Sequence, residues 1–273
     1  MSTGSNPRRT TVRTLLEMKE RGDPIVVLTA YDYLFARLVD EAGVDVVLVG
    51  DSLGQVVLGL DSTLPVTLDD MVRHGAAVRR GVERALLVVD MPFLSFQVDP
   101  GETVRNAGRI LAETGAEAVK LEGGSEAACV HVRKLVEAGI PVMGHVGLTP
   151  QSVHAVGGYR VQGRDEENAR RIADEAERLA DAGCFAIVLE LVPGDLAAEI
   201  TRAVPVPTIG IGAGPSCDGQ VLVLPDMLGL NDAFTPKFLR RFADLAGETR
   251  RGLAGYVEAV RSGEYPGPEH THQ

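Results

Sequence analysis

The chain has 273 residues, of which 45% are hydrophobic and 24% are charged, so it can bury a large core as an ordinary globular protein. Acidic residues exceed basic ones by 38 to 27, and a net charge of −11 provides no broad cationic field, so neither nucleic acid nor an anionic membrane is an expected partner. The first nine residues hold no signal-like apolar run and no stretch reaches the roughly 18 apolar residues of a membrane span, so we expect a cytoplasmic protein.

The chain repeats a unit made of a short apolar run, a turn and an amphipathic segment. A helix is expected from Thr10 to Gly22, before the first run, where it would close the bottom of a barrel or pack on another subunit. Runs rich in Val, Ile and Leu without strict alternation suit strands that are buried on both faces. Eight follow in chain order: IVVLTA from Ile25, VDVVLVG from Val44, ALLVVDM from Ala85, AEAVKLE from Ala116, PVMGHVG from Pro141, FAIVLEL from Phe185, PTIGIGA from Pro207 and QVLVLPD from Gln220.

Helix signals lie between these runs. Thr67 to Asp70 resembles a capping box, and Asp99 precedes a proline that suits the first helical position. Strands alternating with helices predict an α/β fold, a (β/α)8 TIM barrel formed by residues 1–273 as a single domain, with residues 1–22 as an N-terminal helical extension. The stretch from Thr235 to Ser262 is expected to form a helical C-terminal region.

The weakest part of the strand count is the link between Gly214 and Gln220. It is too short for a full crossover helix, so a doubly wound open sheet remains the alternative architecture. The three cysteines are widely spaced and contain no Cys-x-x-Cys pair, which suggests neither a disulfide framework nor a zinc site. We expect all of them to be reduced packing residues: Cys129, Cys184 and Cys217.

Polar residues follow the predicted strands at the end where barrel enzymes keep their chemistry. They close strands two to six and are Asp51, Asp90, Glu122, His145 and Glu190. Because side chains alternate along a strand, Lys120 and Glu122 share a face with Ala118. By the same alternation Glu190 shares a face with Val188, which directs it into the mouth of the barrel.

Taken singly, each of these residues has a structural interpretation. A lone Asp at a strand end often caps a helix, and one Lys beside one Glu is usually an ion pair. Four carboxylates at one mouth, however, repel by about 4 kcal/mol per pair at about 4 Å and an effective dielectric near 20. Either some stay protonated or a cation lies among them, and oxygen ligands favour Mg²⁺ over zinc. For His145 we prefer a hydrogen-bonded core histidine over a metal ligand.

Two glycine-rich motifs suggest other chemistry. Gly50 to Gly54 fits the spelling Gly-x-Ser-x-Gly of a serine hydrolase, which would make Ser52 a nucleophile. That turn needs a helix directly after the serine, whereas the residues after Leu53 are typical of a loop up to Thr67, so we do not favour a hydrolase. Gly210 to Gly214 ends the seventh strand, where barrels often bind phosphate, but we prefer a tight turn that lets substrate approach the backbone.

Nine blocks together resemble the ketopantoate hydroxymethyltransferase family. The resemblance runs in order from the N-terminal helix to the tail YPGPEH at 265–270. The blocks are LTAYDY (28–33), VGDSLG (49–54), DSTLPVTLDDM (61–71), VVDMPF (88–93), VKLEGG (119–124), GHVGLTPQS (144–152), GGYRVQG (157–163), LELVP (189–193) and GIGAGPSCDGQVLV (210–223).

This resemblance implies a (β/α)8 enzyme of pantothenate biosynthesis that transfers a one-carbon unit from 5,10-methylenetetrahydrofolate to 3-methyl-2-oxobutanoate, giving 2-dehydropantoate. It implies Mg²⁺ held at Asp51 and Asp90 with Glu122 as a further metal-site carboxylate. Substrate contacts would come from Ser52 and Lys120 beside the two aspartates. Glu190 matches the proposed base, which would form an enolate stabilised by Mg²⁺. The family assembles as a homodecamer, so a homo-oligomer is expected.

Two other functions stay open. One is a Mg²⁺-dependent lyase or mutase acting on 2-oxo acids, which would normally carry an acidic or cysteine catalytic loop after a strand; Cys129 is not placed for that. The other is a catalytically silent barrel that serves as a scaffold, which the loss of a metal carboxylate would have suggested. All the carboxylates are present.

Overall fold

The computed structural model describes residues 9–155, 157–158, 160–233 and 235–272. Within these residues eight parallel strands form a closed barrel in which each strand pairs with the next along the chain. The (β/α)8 prediction is therefore confirmed. The strands are β1 Ile25–Thr29, β2 Val46–Val49, β3 Leu86–Asp90, β4 Ala118–Lys120, β5 Val142–Gly147, β6 Ala186–Glu190, β7 Thr208–Ile211 and β8 Gly219–Leu222.

The alternative of an open sheet is wrong, because β8 pairs with β1 and closes the ring. Val27 lies opposite Val221 in this last pair. The link between β7 and β8 contains no helix in the described chain. Asp218 stabilises it instead: its carboxylate accepts hydrogen bonds from the backbone N–H of Thr208 at 2.8 Å and from Lys19 Nζ at 2.8 Å.

The predicted N-terminal helix is present as α1, Val12–Arg21. Thr11 caps its start, and Gly22 ends it in the left-handed conformation at φ 70°. Leu15 and Met18 are buried in one cluster with the inward-facing residues of the strands. Because Lys19 also reaches Asp218 at the start of β8, α1 closes the end of the barrel where the strands begin.

The remaining helices of the barrel follow the strands as the apolar pattern predicted, except for one helical turn after β2 that was not predicted. The expected capping box at Thr67 and the expected cap at Asp99 are both present. These helices cover the outward side chains of the strands, which leaves β2 and β3 buried throughout. They are α2 Tyr33–Glu41, α3 Leu53–Val56, α4 Leu68–Arg79, α5 Pro100–Thr114, α6 Glu126–Glu137, α7 Glu166–Asp181 and α8 Gly194–Ala203.

A second compact unit begins at Leu224. It contains α9 Leu224–Met227 and α10 Leu245–Ser262, so the expectation of a helical region from Thr235 is wrong for its first ten residues. The helix starts later because Asp244 caps it, accepting a hydrogen bond from the backbone N–H of Gly247 at 3.1 Å. The proposal of a single domain over residues 1–273 stays a prediction. None of the helices in the described residues has both the length and the apolar character to cross a bilayer.

Candidate active site at the carboxyl end of the barrel

The sequence-predicted site residues meet at the carboxyl end of the strands. Asp90, Lys120 and Glu190 are the last residues of β3, β4 and β6. Asp51 and Glu122 lie just beyond β2 and β4, and His145 lies within β5. Alternation along the strands directs these side chains inward, as predicted, above the apolar interior of the barrel. All six are nearly inaccessible to solvent except Glu190, whose side chain is 19% exposed.

Asp90 connects three strands. Lys120 Nζ lies 3.0 Å from Asp90 Oδ1, and the backbone N–H of Asp51 donates to Asp90 Oδ2 at 3.0 Å. Oδ1 is buried and receives no well-aligned hydrogen bond from the described residues, so only the charge of Lys120 faces it. Such an oxygen has capacity for a cation.

His145 lies between the charges of this site. Its Nε2 is 3.2 Å from Glu190 Oε2, and its Nδ1 is 3.6 Å from Glu122 Oε1 and 3.4 Å from Lys120 Nζ. Burial and Lys120 lower the pKa of His145, but hydrogen bonds to Glu122 and Glu190 and the charge of Glu122 outweigh them and raise it to about 9. The imidazole is thus a second positive charge at neutral pH. Its role as a hydrogen-bonded residue or a metal ligand stays a prediction.

Two of the carboxylates at the mouth, Asp51 and Asp90, resist ionisation. Burial, followed by repulsion from Asp90 and Glu122, raises the pKa of Asp51 to about 8. Burial also raises the pKa of Asp90, although Lys120 acts in the opposite direction. This pattern agrees with the sequence-based expectation that some carboxylates hold a proton unless a cation lies among them.

The site suits an ion that needs few protein ligands. Within the described residues, no group of three or more His, Cys, Asp and Glu side chains is arranged to hold a metal ion. A zinc-type cage is therefore not built here, whereas Mg²⁺ keeps several waters and needs only one or two carboxylates besides its substrate. Asp51 and Asp90 adjoin each other and supply this donor set, so the residues present fit Mg²⁺.

Ser52 lies directly after Asp51 and before α3. The expectation of a loop after Leu53 up to Thr67 is wrong for its first residues, because one helical turn runs from Leu53 to Val56 with Leu53 buried, and it holds for the rest of that stretch. A helical turn therefore does follow Ser52, and the argument against a nucleophilic serine that relied on its absence no longer holds. The hydrogen-bond partner of Ser52 bears on the same question. Ser52 Oγ lies 2.8 Å from the hydroxyl of Tyr31, and a tyrosine hydroxyl is not a general base at neutral pH. The contact between Ser52 and Tyr31 is typical of a serine that is oriented to donate a hydrogen bond.

A close backbone approach sets the position of Glu190. Gly147, at φ 94°, lies so near that a Cβ atom on it would come 2.2 Å from the carbonyl oxygen of Glu190. The following residue, Leu191, is itself in the left-handed region at φ 48°. Only glycine leaves room at position 147, and strained residues of this kind cluster at functional sites.

The turn after β7 contains two glycines in the left-handed conformation, Gly212 at φ 64° and Gly214 at φ 80°. A Cβ atom on Gly214 would come 3.2 Å from the Cα of Gly194, where α8 begins. The backbone segments therefore approach each other closely, as a tight turn requires. The preference for a turn over a phosphate site stays a prediction.

Sequence reasoning missed Gln151. This residue lies in the 3₁₀ turn Pro150–Ser152 after β5 and is 6% exposed. Its side chain donates to Asp51 Oδ2 at 2.9 Å, and its backbone N–H donates to Glu122 Oε2 at 2.9 Å. The only available signal was its place in the block GHVGLTPQS, because an uncharged amide in a loop carries no periodic or chemical signature of its own.

Comparison with known proteins was made at the level of family, sequence and fold. The family model for ketopantoate hydroxymethyltransferase matches residues 9–268. A protein of Carboxydothermus hydrogenoformans named 3-methyl-2-oxobutanoate hydroxymethyltransferase is 56% identical over 263 residues, covering 96% of this chain and 95% of that protein. A protein of the same name from Moorella thermoacetica is 57% identical over 263 residues, covering 96% and 97%.

Solved structures resemble the barrel at lower identity. A phosphonopyruvate hydrolase in complex with oxalate and Mg²⁺ aligns with a TM-score of 0.61 at 13% identity, covering 96% of this chain and 93% of that one. A 2,3-dimethylmalate lyase aligns with a TM-score of 0.59 at 17% identity, covering 95% and 93%. At these identities the likeness shows a shared fold.

Proposed function

The chain belongs to the ketopantoate hydroxymethyltransferase family, and we propose that it transfers a one-carbon unit from 5,10-methylenetetrahydrofolate to 3-methyl-2-oxobutanoate, giving 2-dehydropantoate for pantothenate biosynthesis. The observation that carries this proposal is the meeting of Asp51, Asp90, Lys120 and Glu190 at one barrel mouth. Together they offer a cation site, a fixed positive charge and a separate base.

Lys120 provides the positive charge for the substrate carboxylate. Burial acts to lower the pKa of Lys120, but Asp90, Glu122 and Asp51 together raise it above its usual value, so the ammonium stays charged. This local charge matters because a protein of net charge −11 must attract an anion against its own field. The hydroxyl of Ser52, oriented by Tyr31, donates a hydrogen bond to the same substrate.

Asp51 and Asp90 would hold Mg²⁺, with Glu122 as the further carboxylate of the metal site. When bound, Mg²⁺ supplies Lewis acidity that polarises the keto group and acidifies the neighbouring C3 hydrogen. Asp51 must be ionised to act as a ligand. Because burial and then repulsion from Asp90 and Glu122 raise its pKa to about 8, binding of the cation would displace a proton from it.

Glu190 takes the C3 proton of the keto acid. Its carboxylate is the most exposed of the set, at 19%, so it faces the space that the substrate enters. His145 lies 3.2 Å away and orients this carboxylate. The substrate enolate left by proton removal attacks the methylene carbon of the folate, and both bonds from that carbon to the folate nitrogens break. Water supplies the hydroxyl of the product, and the C3 proton and the remaining proton of that water pass to the two nitrogens.

The direct test is turnover of 3-methyl-2-oxobutanoate with 5,10-methylenetetrahydrofolate, with and without EDTA. We expect formation of 2-dehydropantoate that EDTA abolishes and added Mg²⁺ restores. A protein that forms no product with Mg²⁺ present, or that cleaves a carbon–carbon bond of a 2-oxo acid instead, would refute the proposal. By its family resemblance we also propose a homodecamer, which light scattering of the purified protein tests.

A further inference from the structure

Gln151 makes four hydrogen bonds that join separate loops of the barrel mouth. Its side-chain Nε2 donates to Asp51 Oδ2 at 2.9 Å and to the carbonyl of Met91 at 3.0 Å. Its Oε1 accepts from Gln97 Nε2 at 3.1 Å. Its backbone N–H donates to Glu122 Oε2 at 2.9 Å. One buried residue therefore holds two of the three carboxylates of the proposed cation site.

Backbone groups at both ends of this chain of contacts set the orientation of the amide. The carbonyl of Met91 can only accept, so the Gln151 atom that faces it is the NH₂ group. The backbone N–H of Phe96 can only donate, at 3.3 Å to Gln97 Oε1, so the NH₂ group of Gln97 faces Gln151. Both backbone groups give the same orientation of the amide, so Asp51 accepts a hydrogen bond from the NH₂ group of Gln151.

An uncharged donor is the group that this position requires. The site already crowds carboxylates, so an acidic residue at position 151 would add repulsion. A lysine or arginine would neutralise Asp51 and compete with a divalent cation for it. The amide orients Asp51 Oδ2 and adds no charge that would compete with the cation. Partners of metal ligands commonly act in this way.

We infer that Gln151 is a positioning residue that holds Asp51, through its side chain, and Glu122, through its backbone, in the arrangement that receives the divalent cation. This inference rests on the proposed function, because it needs Asp51 to be a ligand. The side chain acts on Asp51 alone among the carboxylates, so its removal leaves the bond from backbone N–H to Glu122 in place.

The test is calorimetric titration of Mg²⁺ into the full-length protein with 3-methyl-2-oxobutanoate present. Gln151→Met keeps the length of the side chain and removes its donors, and we expect the Kd for Mg²⁺ to rise about 10- to 100-fold. Raising the Mg²⁺ concentration should restore most of kcat, because the lesion lies in binding of the cation. A purely structural role would lower the melting temperature and leave the Kd unchanged.

Two further variants separate these outcomes. Thr114→Val removes a buried hydroxyl that bonds Ile110 and Ala116 at the end of α5, at the opposite end of the barrel, and should leave the Kd unchanged. Gln97→Ala leaves Gln151 in place but removes the donor to its Oε1, and should raise the Kd by less than Gln151→Met. It also provides the measurement if Gln151→Met does not fold.

A wild-type Kd in both glutamine variants, or an equal rise in Thr114→Val, overturns the inference. If the wild-type protein itself binds no Mg²⁺, the proposed cation site fails and this inference fails with it. If the wild type binds Mg²⁺ and turns over substrate while Gln151→Met binds equally well, only the inference about Gln151 fails.

Discussion

Lys120 Nζ lies 3.0 Å from Asp90 Oδ1, and the two side chains are only 6% and 4% exposed. In the part of the chain that the structure describes, no ion pair joins Asp51 to a basic side chain, and its Oδ2 accepts a hydrogen bond from the neutral amide of Gln151. The two aspartates of the proposed cation site are therefore not equivalent. One belongs to a buried ion pair, and the other has its pKa raised to about 8.

Lys120→Met should destabilise the protein strongly, because it leaves the buried carboxylate of Asp90 without its countercharge. Breaking a buried pair in this way costs about 3 to 5 kcal/mol in the free energy of unfolding. Urea denaturation at neutral pH measures the loss. Lys134→Met is the matched control, because its pair with Glu137 is 55% and 63% exposed and should contribute little. Equal effects of the two variants would contradict a structural role for the Lys120 pair.

Asp51→Asn should abolish or greatly weaken binding of Mg²⁺ while raising the stability of the metal-free protein above pH 8. The gain arises because a neutral amide is not an ionised carboxylate held in a buried site, and because it relieves the repulsion from Asp90 and Glu122; burial and this repulsion together raise the pKa of Asp51. Calorimetric titration with Mg²⁺ plus keto acid and thermal unfolding in EDTA provide the two measurements. Wild-type affinity for Mg²⁺ in this variant would sink the assignment of Asp51 as a ligand.

The metal-free protein should lose stability as the pH rises from about 4 to about 9. The pKa of Asp51 is about 8 in the folded state, far above the usual value of about 3.9 for an aspartate in an unfolded chain. The folded state thus holds more protons than the unfolded state between those values, and the free energy of unfolding falls with pH.

His145 acts in the same direction, with a pKa of about 9 against a usual value of about 6.5, so its stabilising contribution is lost as the pH rises through about 9. Denaturation curves at several pH values, with EDTA or with saturating Mg²⁺ and keto acid, measure the slope. Mg²⁺ should reduce the dependence of stability on pH by replacing the proton on Asp51. Asp51→Asn should reduce the same dependence without metal. A stability that rises with pH in EDTA would contradict the raised pKa values.

Glu190→Gln should slow exchange of the C3 hydrogen of 3-methyl-2-oxobutanoate in D₂O, and turnover with it, by about 10² to 10⁴. Binding of Mg²⁺ and keto acid should persist, because no contact joins Glu190 to Asp51 or Asp90 among those described. Proton NMR follows the loss of the C3 signal and the collapse of the methyl doublet. Undiminished exchange in this variant, with loss in Lys120→Met despite retained substrate binding, would transfer the role of base to Lys120.

Ser52→Ala should weaken substrate binding or transition-state stabilisation by about 1 to 3 kcal/mol, the effect of losing one hydrogen bond to a charged group. Tyr31→Phe should cost less, because it removes the partner of the Ser52 hydroxyl and leaves the hydroxyl itself. Steady-state kinetics on both variants gives the comparison. A covalent adduct trapped on Ser52, or complete loss of turnover with substrate still bound, would instead support a nucleophilic serine.

The sequence was sufficient for the strands, because a strand buried on both faces must be apolar and its alternation also directs Lys120 and Glu190 inward. It was insufficient for α3 and for the start of α10. The buried side chain of Leu53 lies in the first, and the cap at Asp244 sets where the second begins. These are weak local signals that depend on what the neighbouring elements place around them. The closure of β8 onto β1 was predicted from the count of strands, but an open sheet stayed the alternative, since the link between β7 and β8 carries no helix that would indicate a crossover.

For the candidate site, the residue types at the strand ends can be read from the sequence, and so can the crowding of carboxylates at one mouth, where they need a proton or a cation. The different roles of these residues follow from the folded structure. Contacts between residues far apart in the chain pair Asp90 with Lys120, place His145 between two glutamates and assign Asp51 to Gln151, one hundred positions away. Hydrogen bonds and charge interactions depend on distances of about 3 Å, and no spacing along a chain specifies those.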